Sequence, residues 1–135
     1  MSDIPLPQIP LPLIVVDAAN VVGSRPDGWW RDRHGATERL RDRLADLVRT
    51  GLPGFTGPVE VLMVVEGQAR TVSSAPTVTC VSASRSGDDR IVELVAEQGN
   101  RPVLVVTADR ELRRRVGELG AEVTGPGALA AHNRA

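Results

Sequence analysis

Leu13-Ile14-Val15-Val16 is an unbroken apolar run that stops at Asp17. Val103-Leu104-Val105-Val106 is a second, running through Thr107 and Ala108 to Asp109. A strand with one wet face alternates apolar and polar side chains, whereas a strand covered on both faces does not. Runs of this kind therefore predict the inner strands of a parallel α/β sheet. The carboxyl ends of such strands lie along one edge, and open α/β sheets build their sites there. Two acids released at that edge point to a centre for a divalent metal ion.

The chain has 135 residues, enough for one domain with a real core. No apolar run approaches the ~20 residues that a transmembrane helix needs, so no membrane partner is expected. Residues 1–12 alternate Pro with Ile and Leu and read as an extended arm, because each Pro lacks an N–H and restricts the residue before it. Residues 13–135 read as a single domain. The arm has no basic region and fits neither a signal peptide nor a lipidation signal. Cys80 stands alone, which excludes an internal disulfide and makes a reducing cytoplasm the expected location.

Strands are expected at 13–17, 59–65, 78–81, 103–107 and 121–123. A helix is expected from Thr37, as N-cap, to Arg49, with Leu40, Leu44, Leu47 and Val48 as its apolar stripe. Gly51 and Pro53 should stop it. A second helix should open at Ser86-Gly87-Asp88-Asp89 and run to about Gln98, burying Ile91, Leu94 and Val95, and a third should span about Asp109 to Leu119. Gly23 to Gly35 reads as a loop, and Gly125-Pro126-Gly127 as a turn. Alternating strands and helices predict a three-layer α/β fold, with a mostly parallel sheet covered on both faces.

All 16 basic residues are Arg, and the formal net charge is −1. We read the absence of Lys as compositional bias, yet it has a physical consequence: Arg makes forked, bidentate contacts with phosphate. Seven Arg residues fall between Arg25 and Arg49, and Arg110, Arg113, Arg114 and Arg115 form another group. A neutral protein can still present a local basic surface. On charge alone, solvated helix faces with Asp42 and Asp46 as neighbours account for these residues.

Asp17, Asp88 and Asp109 stand at strand ends and a helix start. Carboxylate oxygens suit Mg²⁺ and Mn²⁺, and such an ion can polarise a phosphoryl oxygen and activate water. Asn20 could hydrogen-bond a metal water or a substrate phosphate. Helix capping competes with this reading, since Asp satisfies free N–H groups at helix starts. For Asp88 or Asp109 alone, capping explains the residue at least as well, and Ser86 with Asp89 also looks like an acidic cap pattern. For Asp17, which closes an apolar run, capping explains less. Other chemistries lack their residues. A phosphate loop needs a Lys, and no Gly-x-Gly-x-x-Gly follows a strand. One Cys with His34 and His132 far apart disfavours zinc. No Gly-x-Ser-x-Gly elbow supports a serine triad. His34 is read as exposed and His132 as part of a frayed terminus.

Val15-Val16-Asp17-Ala18-Ala19-Asn20-Val21-Val22-Gly23 resembles the opening Asp-Gly-x-Asn-Val-Ile of the NYN branch of PIN-like nucleases, especially its YacP-like group. Gly87-Asp88-Asp89-Arg90-Ile91-Val92-Glu93 is similar to that group's Ala-Asp-x-x-Ile-Glu, and Val105-Val106-Thr107-Ala108-Asp109-Arg110 to its Val-Thr-Ser-Asp-Arg. The motifs keep family order and span residues 13–123. The resemblance implies a PIN-like fold and a Mg²⁺- or Mn²⁺-dependent ribonuclease, with Asp17, Asp88 and Asp109 holding the metal and Asn20 beside them.

There are departures. Ala18-Ala19 replaces a Gly-aromatic pair. Glu66 ends the second strand where relatives often place an Asp, and would either keep an acid there or be exposed. Glu38 reads as an ordinary first-turn carboxylate, and whether Asp89 joins the site stays open. The loop from Arg25 to Arg33 is richer than a connection needs. Trp29 and Trp30 could stack bases, or one could cap the core while the other lies on the surface. Arg31, Arg33 and Arg110 are the candidates for holding RNA phosphates. The reading is a metal-dependent ribonuclease acting on RNA. The alternative is a non-catalytic PIN-like RNA-binding or protein-interaction module. Endo- or exo-cleavage and oligomeric state, including a homodimer, stay open.

Overall fold

The central strand of the computed structural model, which describes residues 10–132, is the first apolar run. β1 (Leu13–Asp17) is buried along its whole length. It lies between β4 (Glu60–Val65) and β6 (Val103–Val106), parallel to both, with Val15 opposite Leu62 on one side and Val105 on the other. β5 (Thr79–Ser82) and β7 (Glu122–Thr124) complete a parallel five-stranded sheet of order β5-β4-β1-β6-β7. A separate hairpin, β2 (Gly51–Leu52) with β3 (Phe55–Thr56), precedes β4.

Side chains of a strand alternate between faces, and here both faces are dry. Ile14, Val16, Met63 and Val106 pack with Val21, Leu40, Leu44 and Leu47 on one side. Leu13, Val15, Val64 and Val105 pack with Ile91, Leu94, Leu112 and Val116 on the other. The first layer is α1 (Ala18–Gly23), α2 (Arg33–Arg43), α3 (Leu47–Thr50) and α6 (Gly127–His132). The second is α4 (Gly87–Ala96) and α5 (Arg110–Glu118). The expected three-layer α/β fold and its five strands are present, with ends shifted by a residue or so.

The first long helix starts earlier than expected. Asp32, not Thr37, is the N-cap, and its side chain accepts the Gly35 N–H at 2.9 Å. Gly35 permits this, because a Cβ there would collide with the Asp32 carboxylate. Thr37 lies buried inside α2 and donates its hydroxyl to the Arg33 carbonyl at 2.7 Å. The helix tightens into a 3₁₀ turn at Leu44–Asp46 and ends at Gly51, whose φ is 64°. The Gly23–Gly35 segment is not all loop. α1 runs into Gly23, and Trp29–Arg31 form a 3₁₀ turn. The arm expected at 1–12 lies outside the described residues except for its end, where the Pro12 carbonyl accepts the Glu60 N–H at 2.9 Å. Among the described residues no helix is long and apolar enough to cross a membrane.

Candidate active site at the carboxyl edge of the sheet

From β1 the chain builds outward to β4 and β5, then returns to the other side of β1 for β6 and β7. The order reverses between β1 and β6, so the carboxyl ends of these two strands flank the crevice where open α/β sheets place their ligands. Asp17 ends β1 there, and Thr107, Ala108 and Asp109 follow β6.

Asp17 is only 5% exposed. One carboxylate oxygen, Oδ1, accepts the Asn20 N–H at 3.4 Å and caps α1. The other, Oδ2, accepts the Thr107 hydroxyl at 2.8 Å. Burial pushes its carboxyl up to about 6; the bonds from Thr107 and Asn20 oppose the rise, and the charges of Asp88 and Glu66 add to it. The Asn20 side chain also serves the backbone. Its Oδ1 accepts the Ala108 N–H at 2.8 Å, tying α1 to the exit of β6.

Asp109 caps α5, with Oδ1 accepting the Leu112 N–H at 2.8 Å. Its own N–H donates to Thr107 Oγ1 at 3.2 Å. Thr107 thus joins the two acids: its hydroxyl donates to one and accepts from the backbone of the other. Asp88 stands half-buried on the first turn of α4. Burial raises its carboxyl above the usual range, the charges of Asp109 and Glu66 raise it further, and Arg115 opposes them. Glu66, half-buried after β4, reaches across to accept the Gly87 N–H at 2.5 Å. Asp88 therefore feels Asp109 and Glu66, and Asp17 feels Asp88 and Glu66.

The remaining candidates divide. The cap pattern at Ser86 is present, since its hydroxyl accepts the Asp89 N–H at 3.2 Å, and the Asp89 carboxylate turns to Arg115 at 3.0 Å. Glu38 is mid-helix and pairs with the half-buried His34 at 3.3 Å. Arg33 stacks over the Trp29 ring at 5.0 Å and Arg31 over Trp30 at 6.0 Å. Trp29 packs against the core while Trp30 is 57% exposed, the division in which one Trp caps the core. Arg110 is exposed at the start of α5. A pocket of about 290 Å³ opens beside the acids, lined by Ala18, Ala19, Trp29, Arg33, Glu66 and Arg85.

Among the described residues, no three His, Cys, Asp or Glu side chains gather tightly enough to hold one ion together. The hydrogen bonds explain this, since Asp17, Asp109 and Glu66 are each anchored to a different piece of backbone or side chain. The donor chemistry nevertheless suits a hard cation. Mg²⁺ keeps several waters and takes one or two carboxylates, so three direct ligands are not required.

Thr107 and Glu66 are the site residues that motif reading undervalued. Thr107 did carry a signal, a polar residue closing an apolar strand, but the two bonds that give it meaning come from distant parts of the chain. Thr107→Val is expected to destabilise the fold by about 1–3 kcal/mol, because it strips a buried carboxylate of a donor and an N–H of its acceptor. Thr107→Ser should lose less. Urea melts of the two variants measure this, and equal stabilities for Val and wild type would remove Thr107 as the link between the acids.

No family model and no curated protein matches the sequence. Solved structures do match. The crystal structure of Rae1 (YacP) from Bacillus subtilis aligns with a TM-score of 0.74 at 17% identity, covering 90% of this chain and 73% of that one. A structure of a single-substitution mutant of the same protein gives a TM-score of 0.69 at 18% identity, covering 92% and 76%. At such identities the likeness is one of fold. The five-stranded α/β sandwich described above is thus the PIN-like fold of Rae1 (YacP), the group that the three sequence motifs resemble.

Proposed function

We propose that this chain is a ribonuclease that hydrolyses RNA phosphodiester bonds with Mg²⁺ or Mn²⁺ at the edge formed by Asp17, Asp88 and Asp109, with Glu66 beside them. One observation carries the reading: these carboxylates act on one another at the switch point of the sheet, and burial and mutual repulsion lift both Asp17 and Asp88. A cation would relieve that repulsion. When bound, it would polarise a phosphoryl oxygen and lower the pKa of a water.

The chain's own residues have separable roles. Asp17, at the end of β1, and Asp88, on the first turn of α4, supply oxygen ligands. Thr107 holds Asp17 in one orientation, and Asn20 fixes the β6 exit against α1. Arg33 and Arg85 flank the pocket beside the acids and can take backbone phosphates, and Trp29 offers a ring to a base. That pocket would take one unpaired nucleotide, so single-stranded RNA is the substrate we expect.

A second reading is favoured by one observation, the separate anchoring of each acid, with no three gathered for one ion among the described residues. It is a non-catalytic RNA-binding or protein-interaction module with the same fold. The test is cleavage of a labelled single-stranded RNA in Mn²⁺ against the same reaction in EDTA, with binding measured in parallel in EDTA. Cleavage that depends on Mn²⁺ supports the ribonuclease. Binding without cleavage under both conditions selects the binding module.

A further inference from the structure

Between α1, α2 and α6 the carboxyl edge opens a second cavity, of about 490 Å³, lined by Val21, Arg25, Leu40, Arg43, Ala108 and Leu129 among others. Its apolar wall belongs to the α1–α2 core. Its rim reaches Ala108, next in the chain to Asp109. Two guanidinium groups line it. Arg25 is exposed and pairs loosely with Asp27 at 3.6 Å. Arg43 is half-buried, and its Nε is a buried donor without a hydrogen-bond partner among the described residues. Burial and the like charges of Arg25 and Arg39 pull the Arg43 guanidinium below its ordinary range, with Asp27 opposing them.

Packing alone does not call for this arrangement. An unbranched apolar side chain of similar length would fill the space without an orphaned donor, which carries the full desolvation penalty of its N–H. A charged donor left open, beside further like charge, complements an anion. A phosphate suits it best, because its oxygens accept from the fork of a guanidinium. Of the other Arg residues near this edge, Arg31 and Arg33 stack over Trp rings and Arg115 pairs with Asp89.

We propose that the Arg25–Arg43 cavity is a phosphate subsite, holding a backbone phosphate of the RNA strand whose reacting bond lies at the acids. The strand in this proposal rests on the ribonuclease reading; the phosphate chemistry does not. A free phosphorylated small molecule would offer the same group, and the experiment separates the two.

The whole chain is assayed in EDTA, so that binding is read apart from cleavage. The probes are inorganic phosphate and a labelled single-stranded RNA of about ten nucleotides, within the site sizes of such grooves. Arg43→Met keeps the stem and removes the charge. Arg25→Ala changes an exposed residue and keeps the test valid should Arg43→Met fail to fold. Each variant is expected to weaken RNA binding roughly tenfold, the effect of losing one charge-assisted contact. Each should also flatten the slope of log affinity against log salt by roughly 0.7. Arg43→Met should melt at or above the wild-type temperature in phosphate-free buffer, because the orphaned donor is gone. Inorganic phosphate should raise the wild-type melting temperature, compete with RNA, and leave Arg43→Met unmoved. Unchanged affinity and slope in both variants would overturn the subsite, while Mn²⁺-dependent cleavage by the wild type would leave the ribonuclease reading standing. Thermal protection by phosphate with no RNA binding would overturn the strand assignment and leave a small phosphorylated molecule as the ligand.

Discussion

Asp17→Asn is expected to abolish Mn²⁺-dependent cleavage of single-stranded RNA and to leave the chelated protein at least as stable as wild type at neutral pH. The loss of turnover should exceed about 100-fold, because removing a ligand does more than removing one of the outer partners that orient it. Asn keeps the shape and can still accept the Asn20 N–H while its amide meets Thr107 Oγ1, so the local fold has no reason to change. The stability half follows from the carboxyl lying near 6 in the fold against 3.8 ordinarily. A raised folded value means that the folded state holds the proton more tightly. That contribution is complete below about pH 3.8 and is lost as pH rises through about 6. Over this window it amounts to about 3 kcal/mol. Asn carries no charge, so its advantage over Asp should be absent near pH 4 and reach up to that size above pH 7. Urea melts of both proteins in EDTA from pH 4 to pH 8 read it. Cleavage by the variant at the wild-type rate would remove Asp17 from the reaction. A deficit in the variant that is constant across pH would make Asp17 a structural cap instead.

Gly51→Ala is expected to destabilise the fold by about 3 kcal/mol or more, a large part of the 5–15 kcal/mol that holds a domain of this size together. Gly51 has φ 64° and ψ −157°, a region that is essentially glycine's. An added Cβ would also strike backbone: the Phe55 carbonyl, the Gly57 nitrogen at 2.5 Å and the Thr56 carbonyl carbon at 2.8 Å. Backbone cannot rotate away as a side-chain end can. Gly54 is the control, since its φ is 79° but a Cβ there would meet nothing within 4 Å. Gly54→Ala should therefore show only the left-handed penalty of about 1–2 kcal/mol. Equal losses in the two variants would show that the close approach at Gly51 is unimportant. The hairpin precedes β4, at the end of the sheet away from the acids, so Gly51→Ala should keep its cleavage rate where it remains folded.

The contrast between these positions shows what the chain discloses before it is folded. The inner strands were legible because burial on both faces leaves an unbroken apolar run, as at Leu13–Val16 and Val103–Val106. α1, α6 and the β2–β3 hairpin were not, since six residues or two are too few to show a period. The start of α2 was misplaced because Thr37 and Asp32 are both good caps; the choice fell to Asp32, where Gly35 leaves room for its carboxylate. At the site, Asp17, Asp88 and Asp109 could be named from their motifs. The reach of Glu66 to Gly87 and the double bonding of Thr107 could not, because they join residues 21 and 90 positions apart in sequence. Arg25 and Arg43 read only as two charges in a basic stretch; the orphaned nitrogen is visible only in three dimensions.

The division of the core into two clusters has a mechanical meaning at the acids. Asn20 moves with α1, whose side chains anchor in one cluster, and Asp88 rides on α4, seated in the other, while Asp17 ends β1, which contributes side chains to both. The opening between Asp17 and Asp88 is therefore set by how α4 sits against the sheet, and the Glu66 bond to Gly87 is a tie-rod across that seam. A small slide of α4 along the sheet would widen or narrow the acid gap while leaving the α1–α2 cluster on the other face untouched. An ion bridging the gap would act as a rivet between the layers, stiffening α4 against β1 from a point at the rim.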